Sequence, residues 1–170
     1  MENTSLARYL DANRILLLQD VSSKKRVFEL LGELLAKDLD GVQATQVSAG
    51  LLARERLGTT ALGEGVAIPH CRIDSIEEIR SAVIKLEQPV DFDAPDDQEV
   101  SLFYALLVPE EATDEHLKTL ASLAEFLSEQ DNRNQLRNCT SAKQLLDIFA
   151  RTSDKHARKY NSTIHSGFTQ

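Results

Sequence analysis

The chain has no tryptophan, one methionine, four prolines and two cysteines, and none of its apolar runs approaches the length a membrane requires. Each shortage excludes something. Cys71 and Cys139 stand alone, outside any CxxC pair, so a disulfide framework is not expected and the thiols read as reduced. The longest apolar stretches, such as 101–108, fall far short of the ~20 residues of a spanning helix. No basic segment leads into an apolar run at the N-terminus. The expectation is a cytoplasmic protein without membrane insertion. Basic residues are also in the minority: 19 Lys and Arg against 27 Asp and Glu leave a net charge of −8, which argues against a nucleic-acid partner.

What is present fits one domain. A chain of 170 residues that is 42% hydrophobic and 27% charged is long and apolar enough to bury a sizeable core. Val27, Leu30, Leu31, Leu34 and Leu35 recur at helical spacing behind Ser22 and Ser23, which supply an N-cap. A second helix is predicted from about Gln43 to Arg56, with Ala44, Val47, Leu51 and Leu52 on one face and Gly58 as its stop. The run Ile15 to Leu18 is too short to separate strand from helix.

Residues 58–65 hold three glycines and read as a loop entering a short apolar strand that ends on His70. Ser81 to Leu86 and Val100 to Val108 are strand candidates, the second buried on both faces, with a turn-rich acidic connection between them. Past Pro109 a helix is predicted with Leu117, Leu120, Ala121, Ala124 and Leu127 inward and Thr113 or Asp114 as cap. A short helix over 131–138 and a last one from Ser141, with Gln144 completing a capping box, close the domain. Helices alternating with strands predict an α/β sandwich over 1–153, a mixed central sheet with helices on both faces, followed by a polar, disordered tail over 154–170.

Chemistry concentrates at Pro69-His70-Cys71. Pro69 fixes its own φ and restricts the backbone just before His70. A neutral imidazole is a nucleophile near pH 7 when its other ring nitrogen is held by a hydrogen bond. A phosphoryl group accepted there would bring about two negative charges and need cations and donors around it. Arg54 offers planar paired donors and His116 an N–H near a helix start, although each taken singly is an ordinary surface residue.

Rival chemistries have weaker support. A thiol nucleophile at Cys71 is disfavoured because neighbours on a strand point to opposite faces. A metal site from His70, Cys71, His116 and Cys139 lacks a ligand spacing, and Asp91 to Glu99 lacks the calcium-loop spacing. Neither nucleotide-binding glycine pattern occurs, so neither a cofactor nor a metal is implied.

The stretch from Arg54-Glu55 through Leu62-Gly63 to Ala67-Ile68-Pro69-His70 closely resembles the active-site motif of the fructose/mannitol-type enzyme IIA domains of the phosphoenolpyruvate-dependent phosphotransferase system. Leu106-Leu107-Val108-Pro109 followed by His116-Leu117 resembles the segment that carries the family's second histidine, and the likeness spans about residues 5 to 150. The chain looks most like the family's nitrogen-regulatory branch.

The resemblance implies an α/β sandwich in which His70 takes a phosphoryl group, on Nε2, from an HPr-like carrier (NPr). Arg54 and His116 would hold the phosphoryl oxygens, and Thr60 would orient His70 or contribute a hydroxyl. It further implies regulated partners such as kinases or transporters. Two alternatives stay open: a IIA subunit that passes phosphate to a IIB component for sugar uptake, and a binding module that is never phosphorylated. The charge divides into −1 over 1–70, −9 over 71–153 and +2 over 154–170, so an acidic rim downstream of His70 is expected to meet a basic carrier surface.

Overall fold

The structure, a computed structural model, describes residues 6–18 and 20–151; the predicted C-terminal tail lies outside the described residues. Two 3-10 turns, Leu6–Tyr9 and Ala12–Arg14, lead into β1 (Ile15–Leu18), which resolves that ambiguous run as a strand. Helix α1 (Lys24–Ala36) starts where Ser23 Oγ accepts from the Arg26 amide at 3.1 Å, and its predicted apolar stripe is buried throughout. Helix α2 (Ala44–Leu57) follows. The glycine-rich segment is more ordered than its composition suggests. It forms a hairpin of β2 (Ala61–Gly63) and β3 (Val66–Ala67) around Glu64 and Gly65, both with positive φ.

Three strands complete the sheet: β4 (His70–Ile73), β5 (Arg80–Val90) and β6 (Val100–Pro109). The order is β1-β5-β6-β3-β2, with β4 also paired to β6. Antiparallel β5 lies on one side of β6, and parallel β3 and β4 share the other, collinear and in one unbroken register from Val66 opposite Leu102 to Ile73 opposite Pro109. The break between them is Ile68-Pro69. Proline cannot donate to a ladder, so pairing lapses there although the Pro69 carbonyl still accepts from Leu106 N at 2.9 Å. His70 therefore begins a strand, where the sequence pattern placed it at the end of one.

Helices cover both faces of this mixed sheet. On one, α1 and α2 bury Leu31, Leu35 and Leu51 against Phe103, Ala105 and Leu107. On the other, α3 (Asp114–Ser128), α4 (Gln130–Arg137) and a helix α5 over 142–151 pack Leu123, Phe126 and Phe149 on Leu102, Tyr104 and Leu106. At the start of α5, Gln144 N donates to Ser141 Oγ at 3.2 Å, while the Gln144 side chain takes Thr140 N at 2.7 Å. The α3 stripe differs from the predicted one: Leu123, Phe126 and Leu127 are buried, whereas Ala121 is exposed and Leu117 retains 51% exposure. The physical reason is position. The first two turns of α3 line a cleft instead of resting on the sheet.

Candidate functional site

The cleft measures about 630 Å³ and lies beside β4, between the C-terminal turns of α2 and the first turns of α3. His70, Arg54 and His116 all line it, so three residues separated by 62 positions converge. The topology brings them together. β4 pairs with the end of β6, and α3 begins just after β6, so His116 returns to the strand end that carries His70.

His70 is held by its own strand. Its Nδ1 lies 2.8 Å from the Ile68 carbonyl oxygen. A carbonyl only accepts, so Nδ1 carries the ring proton and Nε2 keeps its lone pair. Burial holds the imidazole below its ordinary 6.5; the bond to Ile68 and the Glu55 carboxylate oppose that shift, and Arg54 reinforces it. The ring is thus neutral and nucleophilic at neutral pH.

His116 has the opposite tautomer, set by its place in a helix cap. It is the third residue of α3, and Thr113 N donates to its Nδ1 at 3.0 Å while His116 N faces Thr113 Oγ1 at 3.4 Å. This reciprocal cap is usually made with Glu or Gln. With Nδ1 accepting, the proton sits on Nε2, which makes His116 a donor. Arg54, in the last turn of α2, donates through Nη1 to Gly58 O at 2.9 Å, which spans the helix end and restrains the guanidinium.

Thr60 is placed differently. It is buried, does not line the cleft, and donates its hydroxyl to Glu55 Oε2 at 2.5 Å. Its carbonyl, however, accepts at 3.0 Å from the N–H of Ile68, the residue whose carbonyl holds His70. Glu55, only 6% exposed, stands in the motif that carries the family resemblance, but no role at the site follows for it from that motif. One signal was there: it continues the α2 spacing of Val47 and Leu51 by four, a carboxylate at a core position.

Both thiols are buried, and Cys71 borders the cleft. Cys71 packs between the sheet and α2, where an added Cβ on Gly50 would approach its Sγ to 3.1 Å, and burial pushes the thiol up to about 11. Such a thiol is a poor nucleophile at neutral pH. Cys139 is buried after α4 with Sγ toward the Gln135 carbonyl at 3.3 Å, in the core of the opposite face. Among the described residues no group of three or more His, Cys, Asp or Glu side chains is placed to hold a metal ion, and no helix is long and apolar enough to cross a membrane.

Known proteins share both fold and sequence. The chain is 43% identical over 143 residues to a nitrogen regulatory protein of Pseudomonas aeruginosa, covering 84% of this chain and 93% of that one. The crystal structure of nitrogen regulatory protein IIA-Ntr from Neisseria meningitidis superposes with a TM-score of 0.79 at 41% identity, covering 85% of this chain and 98% of that one. Enzyme IIAMTL of Escherichia coli, in its complex with phosphorylated enzyme IIBMTL, gives a TM-score of 0.67 at 25% identity over 83% and 96% of the two chains. The family model for the phosphoenolpyruvate-dependent sugar phosphotransferase system, EIIA 2, matches residues 8–152, and with these relatives it establishes that the chain belongs to that family.

Proposed function

We propose that His70 is a phosphoryl acceptor, charged on Nε2 by an HPr-like carrier of the NPr type, and that its phosphorylation state sets which proteins this IIA-type chain binds. The observation that carries the reading is the 2.8 Å contact of Nδ1 with Ile68 O inside a cleft shared with Arg54 and His116. In the step, the Nε2 lone pair attacks phosphorus and the carrier's N–P bond breaks, its electron pair returning to the carrier's ring. The proton on Nδ1 stays in place. Donor and acceptor are both imidazoles, so the transfer is nearly balanced in energy and depends on alignment and charge neutralisation. In this reading Arg54 and the His116 Nε2–H, which line the same cleft, would meet the phosphoryl oxygens.

The cleft rim supports a protein partner over a small substrate. Leu57 is 86% exposed and Leu117 51%, one on each wall, an apolar pair that a docking surface would cover. Phosphorylation would then place about two negative charges at the centre of that surface and change which partners fit it.

Incubation with phosphoenolpyruvate, an enzyme I-type protein and the carrier should give one acid-labile phosphate per chain, absent in His70→Ala. Full labelling of that variant would refute the assignment. A second reading, onward transfer to a IIB component, is favoured by the likeness to enzyme IIAMTL in complex with phosphorylated enzyme IIBMTL. Loss of label from the phosphorylated chain to an added IIB protein would select it.

A further inference from the structure

We propose that Glu55 is a positioning residue of the phosphoryl site, acting on His70 through Thr60 and Ile68; this rests on the reading of His70 as the acceptor. The carboxylate is buried at a core position of α2, one residue from Arg54. Its polar neighbours are Thr59 Oγ1 at 2.9 Å, Thr60 N at 3.0 Å, Thr60 Oγ1 at 2.5 Å and Lys24 Nζ at 3.5 Å. A buried carboxylate is retained only where such partners compensate its lost hydration.

From Glu55 the hydrogen bonds run directly to the reacting ring. The carboxylate takes Thr60 N–H, the Thr60 carbonyl takes Ile68 N–H at 3.0 Å, and the Ile68 carbonyl takes His70 Nδ1–H at 2.8 Å. Each bond fixes a donor toward the carboxylate end; because the N–H and C=O of Thr60, and those of Ile68, belong to neighbouring peptide units joined through Cα, the run acts by holding positions while the Glu55 charge acts through space. As the P–Nε2 bond forms, the ring loses electron density and its Nδ1–H becomes a stronger donor. The proton remains on Nδ1, and the Glu55 carboxylate, which favours the positively charged ring, stabilises the charge that develops there.

Glu55 thereby links the two halves of the site. Arg54 on α2 and His70 on β4 are held in register by one side chain, which Lys24 anchors to the start of α1. Lys24 also reaches Asp93 Oδ2 at 3.4 Å and lies over the Phe92 ring, so it is itself fixed. A glutamine of the same shape can keep its oxygen on Thr60 and donate to the Thr59 hydroxyl, but it loses the Lys24 contact and does not supply the charge. The other charged or titratable groups that share the cleft with His70 are Arg54, Cys71, Arg72 and His116.

The test uses the full chain, with the His70 ring followed by nitrogen NMR across its titration and transfer measured from the phosphorylated carrier. In Glu55→Gln the His70 midpoint should move further below its ordinary value, because a group that favours the protonated ring has been removed. Transfer at neutral pH should slow about tenfold, as for other partners that orient a functional imidazole, and Glu55→Asp should recover part of it. A purely structural role predicts the opposite titration: a loosened loop admits water and the midpoint rises. A midpoint that stays or rises overturns the proposal, as does unchanged transfer. Should Glu55→Gln fail to fold, Thr60→Val, which removes the 2.5 Å bond, should give a smaller downward shift, and no shift overturns the proposal. If the wild-type chain accepts no phosphate, the acceptor reading fails separately and the midpoint alone decides the role of Glu55.

Discussion

The Nδ1 of His70 is bound at 2.8 Å to the carbonyl oxygen of Ile68, two residues earlier and across Pro69. Pro69 makes this contact possible. It interrupts the strand between β3 and β4, so the ring of the first residue of β4 can reach back to a carbonyl that no ladder partner claims. One local break in pairing thus selects both the tautomer and the nucleophilic nitrogen.

The pH dependence of phosphoryl acceptance follows from the direction of the His70 shift. The neutral ring is the nucleophile, and burial, reinforced by Arg54, places its midpoint below 6.5. The rate should be flat from neutral pH upward and fall only as the pH drops through that lowered midpoint. Arg54→Gln removes a cation that disfavours the protonated ring, so its midpoint should move up even as maximal transfer drops about a hundredfold from lost charge stabilisation. Transfer rates measured across pH in both proteins check the two shifts. A lower midpoint in the variant would refute the assignment of Arg54 to the ring's immediate field.

His116 serves the fold through Nδ1 and the cleft through Nε2, and substitutions should separate the two roles. His116→Ala should cost about 1 kcal/mol through the lost cap and slow transfer as well. His116→Glu restores a standard capping-box residue, so denaturant unfolding should return to the wild-type midpoint. Its carboxylate cannot donate to a phosphoryl oxygen, so transfer should stay low. Recovery of transfer in the Glu variant would show that only the cap matters.

Gly32 marks the closest approach of α1 to α2. A Cβ there would lie 2.6 Å from the Ala44 carbonyl oxygen and would collide with the Ser48 hydroxyl, which donates to Phe28 O at 3.1 Å. Helix propensity alone favours Ala over Gly by up to about 1 kcal/mol. Overpacking typically costs about 1–3 kcal/mol, and backbone is one of the atoms struck here. Gly32→Ala should therefore destabilise the chain by about 1–2 kcal/mol in denaturant unfolding; a more stable variant would contradict the contact.

Periodicity made much of this legible. The α1 stripe and the unbroken apolar run of β6 follow from the sequence pattern, because long elements show it over many residues. The motif around His70 pointed to the chemistry. What escaped were features with no repeat to read. β2 and β3 have three and two residues, too few to show alternation. Glu55 stands in the motif, but its role escaped because a carboxylate on an apolar stripe looks like the stripe's end, and only the tertiary fold supplies Thr59, Thr60 and Lys24 as its partners. The exposed first turns of α3 depend on where the sheet stops, which one helix's sequence does not encode.

The acidic surface bears on the encounter with a carrier. Glu110, Glu111, Asp114 and Glu115 are exposed and lead directly into His116, so part of the negative charge of 71–153 lies beside the α3 wall of the cleft. Of these, Glu115 is paired, at 3.6 Å from Arg8. Inside the cleft are Arg54 and Arg72, suited to the phosphoryl group, with Leu57 and Leu117 on the walls. An acidic rim beside a cationic centre would draw in a carrier whose own rim is basic while leaving the phosphoryl group to the arginines. Screening shortens the reach of that rim from about 10 Å at 0.1 M salt to about 3 Å at 1 M. The second-order rate of transfer should therefore fall roughly tenfold over that range, a modest steering effect, while the first-order step within the complex stays nearly constant. The combination Glu110→Gln, Glu111→Gln and Asp114→Asn should flatten the salt dependence and leave the His70 titration in place. A second-order rate indifferent to salt in the wild-type chain would reduce the acidic rim to a determinant of solubility.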